Sequence, residues 1–129
     1  MTTTEKRSEF LRKIGLFLTR VFLLDEFDPE SGKYRLICSC FDRTAGEQRK
    51  LYDQGRIKPG KIVTECDGIR KKSKHQPWLA MDFVIIDVLA GLPIWDASAP
   101  YGELGEIWES FGGKWGGRFG DLGHFELGE

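Results

Sequence analysis

The sequence predicts an α+β domain: a small, mainly antiparallel sheet with flanking helices. Three observations carry that reading. Two stretches of helical apolar periodicity lie near opposite ends of the chain, short apolar segments alternate with helix signals between them, and one of these, residues 78–89, is almost continuously apolar. At 129 residues with no internal repeat or linker, residues 1–129 are expected to form one domain around one core.

The elements follow in order. Phe10, Leu11, Ile14, Phe17, Leu18 and Val21 make one helical stripe, with Glu5, Lys6, Arg12, Lys13 and Arg20 mostly off it. The polar face mixes acid and base, so the stripe predicts packing against a core and not a membrane surface. Asp28-Pro29-Glu30-Ser31-Gly32 is a turn signature, and Tyr34 to Cys40 reads as a strand. Thr44 with Glu47 three residues on is a capping box, which predicts a helix from Ala45 to about Gln54. Arg43 therefore stands at a strand-to-helix junction, either as a projecting functional side chain or as a surface partner of Asp42.

Residues 55–74 read as loop, with a short strand possible at 61–64. Their basic cluster, Arg70, Lys71, Lys72 and Lys74, is expected to be solvated; a functional role for it would be to steer an anionic polymer. Residues 78–89 predict a central strand buried on both faces, with a buried helix as the alternative. Asp82 inside that strand is anomalous, because a buried carboxylate is costly unless paired, hydrogen-bonded or bound to a metal. A turn at Gly91-Leu92-Pro93 precedes a second amphipathic helix on Tyr101, Leu104, Ile107, Trp108 and Phe111. A glycine-rich stretch, 112–120, then leads to Asp121, His124 and a closing apolar segment.

Composition excludes several classes. A net charge of -1 and a pI near 6.2 give no reason to expect nucleic acid as partner, and no apolar run approaches membrane-spanning length. The polar N-terminus does not read as a secretory signal, so synthesis and retention in the cytoplasm are expected. Three cysteines, an odd number, argue against a disulfide framework. Cys38 and Cys40, two apart in a strand, are expected to share a face, and with Cys66 to be buried reduced thiols; a cysteine zinc site would lack a fourth ligand.

The two histidines carry the chemistry. His75 is followed by Asp82, and His124 is preceded by Asp121. Two imidazoles and one carboxylate suit an open zinc site that keeps a position for water. Asp121, three residues before His124, is the candidate that takes the water's proton and passes it to a leaving amine. Arg43 is the candidate to hold a substrate carboxylate or a developing oxyanion. The same ligand set occurs in non-haem iron sites, but the long gap between His75 and Asp82 and the extra carboxylate at Asp121 favour hydrolysis. Taken singly, each histidine would read as an ordinary polar residue.

Ser73-x-His75-x6-Asp82, followed by Trp115-Gly116-Gly117-Arg118-Phe119-Gly120-Asp121-x-x-His124-Phe125, resembles the zinc peptidases that include D-alanyl-D-alanine carboxypeptidases and phage L-alanyl-D-glutamate endolysins. Arg43-Thr44-x-x-Glu47-Gln48, Leu51-Tyr52-x-Gln54-Gly55-Arg56 and Pro59-Gly60-Lys61-Ile62-Val63-Thr64 match the upstream half of that family. The resemblance runs from about Tyr34 onward. It implies the fold shared with the zinc domain of hedgehog proteins, one Zn2+ held by His75, Asp82 and His124, Asp121 as catalytic acid and base, Arg43 on the substrate, and Ser73 lining the site. Three departures stand out: Trp78 where the family usually has Gly, Asp42 between Phe41 and Arg43, and Asp121 where many relatives carry Glu.

The expectation is a zinc-dependent murein peptidase cutting the peptidoglycan stem peptide, an endolysin-like L-alanyl-D-glutamate endopeptidase. It would be a monomer, made in the cytoplasm and acting on the cell wall after release through a membrane lesion, finding its substrate without a separate wall-binding module. The alternatives are D-alanyl-D-alanine carboxypeptidase or dipeptidase activity, or a non-catalytic zinc-stabilised binding module.

Overall fold

A computed structural model describes residues 1–40, 43–69 and 71–128. Helix α1 spans Thr3–Phe22 and opens with a capping box in which Thr2 Oγ1 accepts from the Glu5 amide and the Glu5 carboxylate accepts from the Thr2 amide. It buries Phe10, Ile14, Phe17 and Val21, positions that recur every three or four residues. Leu11, one step off that line, faces solvent. A 3-10 turn, Asp25–Phe27, and a turn in which Asp28 accepts from the Glu30 and Ser31 amides lead into strand β1, Tyr34–Cys40. Helix α2, Ala45–Asp53, starts at the Thr44–Glu47 capping box. Then come β2 (Ala80–Asp87), β3 (Leu92–Ile94), α3 (Tyr101–Ser110), β4 (Lys114–Trp115) and β5 (His124–Glu126).

The strands form one antiparallel sheet in the order β1-β2-β5-β4, with β3 also paired to β2. This is the α+β architecture the pattern predicts, with residues 80–87 at its centre. Side chains alternate along β2, so its two faces have different fates. Phe83 and Ile85 enter the core, as does Phe125 of β5, which pairs with Met81. Asp82 lies on the opposite face, and its register partner is His124.

Helices α1 and α3 supply the apolar cover of the core face. Phe17 lies 5.8 Å from Phe83, 5.6 Å from Trp108 and 5.2 Å from Phe125 between ring centroids, spacings typical of aromatic clusters. Two polar atoms stitch α3 to the sheet. The Trp108 indole N–H donates to the Glu126 carbonyl at 2.9 Å, and the Tyr101 hydroxyl donates to the Ile94 carbonyl while accepting from the Ile85 amide. Gly105 of α3 is required by close approach, since a Cβ there would sit 2.2 Å from a ring carbon of Trp115. Among the described residues no helix is long and apolar enough to cross a membrane.

Four expectations are corrected. Residues 61–64 form no strand, and Ile62 and Val63 are exposed: β-branched residues make a strand where an edge pairs with them, and none of the described strands pairs here. Leu92 and Pro93, read with Gly91 as a turn, instead belong to the short strand Leu92–Ile94 paired to β2. The cysteines are not buried: Cys38 is exposed, Cys40 and Cys66 partly so. Nor do Cys38 and Cys40 share a face. The β1–β2 ladder slips between them, pairing Cys38 with Phe83 but Cys40 with Asp82, and those partners alternate across β2. The slip brings Cys40 to the Asp82 face.

Candidate metal centre

Strand register sets one half of the site. Asp82 and His124 are directly opposed on β2 and β5, so their side chains rise side by side from the face away from the core. Asp121 precedes β5 in a tight connection whose amides bond back to Gly116 and Asp121 carbonyls.

His75 comes from the loop before β2. The Ser73 hydroxyl accepts from the His75 amide at 3.2 Å, and the Gln76 side chain accepts from the Ser73 amide while donating to the Gly68 carbonyl. The His75 carbonyl accepts from the amides of Arg43 and Trp78, which ties the β1–α2 junction to this loop. Trp78 adopts φ +61, the left-handed region that suits glycine, the residue usual there in the resembling family. Arg7 of α1 compensates: its guanidinium stacks 4.2 Å from the Trp78 ring and donates to the Pro77 carbonyl. Trp78 itself is not among the residues that line the cavity described next.

His75, Asp82, His124, Asp121, Arg43 and Ser73 all line one open cavity of about 890 Å³. Asp82 Oδ1 lies 3.2 Å from His75 Nε2 and 3.2 Å from His124 Nδ1, and the two imidazole centroids are 5.2 Å apart. Both imidazoles are buried. Burial would raise the Asp82 pKa, yet hydrogen bonds from His124 and His75 outweigh it and hold the carboxyl well below its usual range. His124 responds in kind. Burial disfavours its charge, but Asp82 on Nδ1 and Glu126 on Nε2 push its pKa up to about 9 in the metal-free protein. Asp121 is exposed as a residue, yet the protein packed around its carboxyl and the charge of Asp82 raise its pKa. That direction suits a group that must both take and return a proton.

Arg43 donates to the Gln48 side-chain oxygen at 2.7 Å and to Cys40 Sγ at 3.3 Å. Gln48 is fully buried, and its amide donates to the Cys66 carbonyl and to Thr64 Oγ1. A polar residue thus fastens α2, the 61–66 segment and Arg43 together. Asp42 and Arg70 lie outside the described residues.

The residues fit a divalent cation. Cys40, His75 and Asp82 bring donor atoms within 4.8 Å of one another, as do Asp82, Asp121 and His124, with Asp82 common to both groups. Imidazole nitrogen and carboxylate oxygen are the donors zinc takes in open sites. Sequence reasoning missed Cys40, hidden by the ladder slip, Gln48, masked by its place in a polar helix, and Glu126. The last was detectable: two residues after His124 in a strand, it must share the histidine's face.

No family model matches the chain. The chain is similar to the peptidoglycan L-alanyl-D-glutamate endopeptidase CwlK of Bacillus subtilis (strain 168), at 38% identity over 96 residues, covering 66% of this chain. It spans 56% of that relative's length. This likeness agrees with the resemblance, carried by the motif series from Arg43 to Phe125, to the D-alanyl-D-alanine carboxypeptidases and L-alanyl-D-glutamate endopeptidases.

Proposed function

We propose that this protein is a zinc-dependent peptidoglycan peptidase that cuts the stem peptide, and specifically an L-alanyl-D-glutamate endopeptidase. The observation that carries the reading is the convergence of residues from four separate segments, around 43, 73–75, 82 and 121–124, on one open cavity. The name of the Bacillus relative supplies the bond.

His75, Asp82 and His124 would hold one Zn2+, which when bound supplies Lewis acidity to activate a water and polarise the scissile carbonyl. Asp121 removes the attacking water's proton and delivers it to the departing amine, a role its raised pKa favours. Arg43, braced by Gln48, presents its guanidinium to the oxyanion or to a substrate carboxylate. Ser73 shapes the wall and holds the His75 backbone. Lys71, Lys72 and Lys74 line the same cavity, so the basic cluster borders the site and suits an anionic wall polymer. The site of action is the cell wall, and the acting species a monomer.

The test is digestion of purified murein by zinc-loaded protein, with the new termini identified by mass spectrometry. New N-terminal D-glutamate and C-terminal L-alanine support the proposal. Released D-alanine would assign the carboxypeptidase instead, and intact murein with zinc bound would assign a binding module.

A further inference from the structure

Glu126 is a carboxylate inside a strand, buried as a residue, with a side chain only 10% exposed. Such a group is costly in the interior, and a neutral side chain would serve a purely structural strand better. Its position explains its presence. Glu126 and His124 are two apart on β5 and so share the Asp82 face, and the residue opposite Glu126 is the small Ala80. Glu126 Oε1 lies 3.0 Å from His124 Nε2, while His124 Nδ1 lies 3.2 Å from Asp82. The two ring nitrogens thus have different tasks. Nδ1 faces the other proposed ligands; Nε2 faces away from them, onto a carboxylate.

A neutral imidazole carries its proton on one nitrogen and its lone pair on the other, and a hydrogen-bond acceptor on one side selects which. We infer that Glu126 is a positioning residue: it accepts the Nε2–H of His124, fixing the tautomer and ring orientation that turn the Nδ1 lone pair toward the cation. This inference rests on the zinc reading of the site. Glu126 stands behind the ligand and not beside the cation, and the groups of donors that converge on Asp82 do not include it. The Trp108 indole, by holding the Glu126 carbonyl, anchors the same residue to the core from the other side of the strand.

The test measures zinc affinity by competition with a chromophoric chelator, for wild type, Glu126→Ala, Glu126→Gln and, as a control outside the cavity, the half-buried Glu109→Gln. Outer carboxylates of this kind typically contribute about 10–100-fold to metal affinity. Glu126→Ala is expected to lose that factor, Glu126→Gln to recover part of it because its amide oxygen still accepts from Nε2–H, and the control to match wild type. Long-range 15N–1H NMR of zinc-loaded wild type should show His124 protonated on Nε2 and metallated on Nδ1, a result independent of whether any variant folds. Wild-type-like affinity in Glu126→Ala, or metal on Nε2, would overturn the assignment of Glu126 alone. Wild-type protein that binds no zinc would overturn the metal reading and this inference with it.

Discussion

Raising the pH should destabilise the metal-free protein in a window set by His124. In the folded chain its imidazolium lies between Asp82 and Glu126, and its pKa rises from 6.5 to about 9. A group whose folded pKa is raised adds stability that is complete below its unfolded pKa and is lost as pH rises through the folded value. Stability should therefore fall between pH 6.5 and about 9, by on the order of 3 kcal/mol if no other group intervenes. The side chain is only 10% exposed, so solvent screening removes little of this. The lowered pKa values of Asp82 and Glu126 describe the same contacts and are not added. For a chain of this length the loss corresponds to a fall in Tm of about 10 °C. Glu26 complicates the lower edge: a hydrogen bond with Glu103 pushes its pKa up to about 7, so its contribution is lost from pH 4.5 to 7. Glu26→Gln removes that component. Cys38 and Tyr101, both pushed above their ordinary values, act only from about pH 9 upward. The assay is thermal unfolding by circular dichroism in EDTA from pH 6.5 to 9.5, repeated with saturating zinc. Zinc takes the unprotonated imidazole, so the decline should flatten. A metal-free Tm constant within about 2 °C from pH 7 to 9.5 would show that His124 is not held between two carboxylates, and the site geometry would be wrong.

Other perturbations separate metal binding, substrate positioning and folding. Asp121→Asn should leave zinc affinity nearly unchanged while turnover of murein falls about 10²–10⁴-fold; full activity would remove Asp121 from the proton path. Gln48→Leu takes the acceptor from Arg43 and the donor from the Cys66 carbonyl. It should cost about 1–3 kcal/mol in urea unfolding and lower kcat/KM, with zinc still bound; unchanged catalysis would mean that Arg43 needs no brace. At Trp78, Gly should be more stable than Ala by about 1 kcal/mol, because both lose the Arg7 stack but only Gly adopts φ +61 freely. An Ala variant at least as stable as the Gly variant would contradict the left-handed backbone there.

Local chemistry made much of this molecule readable without coordinates. The Thr44–Glu47 box determines where α2 begins, because its hydrogen bonds span three residues. The period of Phe10, Ile14, Phe17 and Val21 determines the buried face of α1, and the apolar density around Asp82 marks the central strand and its odd carboxylate. These signals depend on neighbours in sequence, so sequence contains them. The tertiary structure alone decided how strands are offset and what lies across a loop. The slip that turns Cys40 toward Asp82 depends on an extra residue in a ladder, and the tie from the buried Gln48 to Thr64 and Cys66 depends on partners more than a dozen residues away. Two histidines 49 positions apart can be suspected of sharing a cation from their residue types. Only the antiparallel register that sets His124 opposite Asp82, and Glu126 two places beyond it, determines which nitrogen faces which carboxylate.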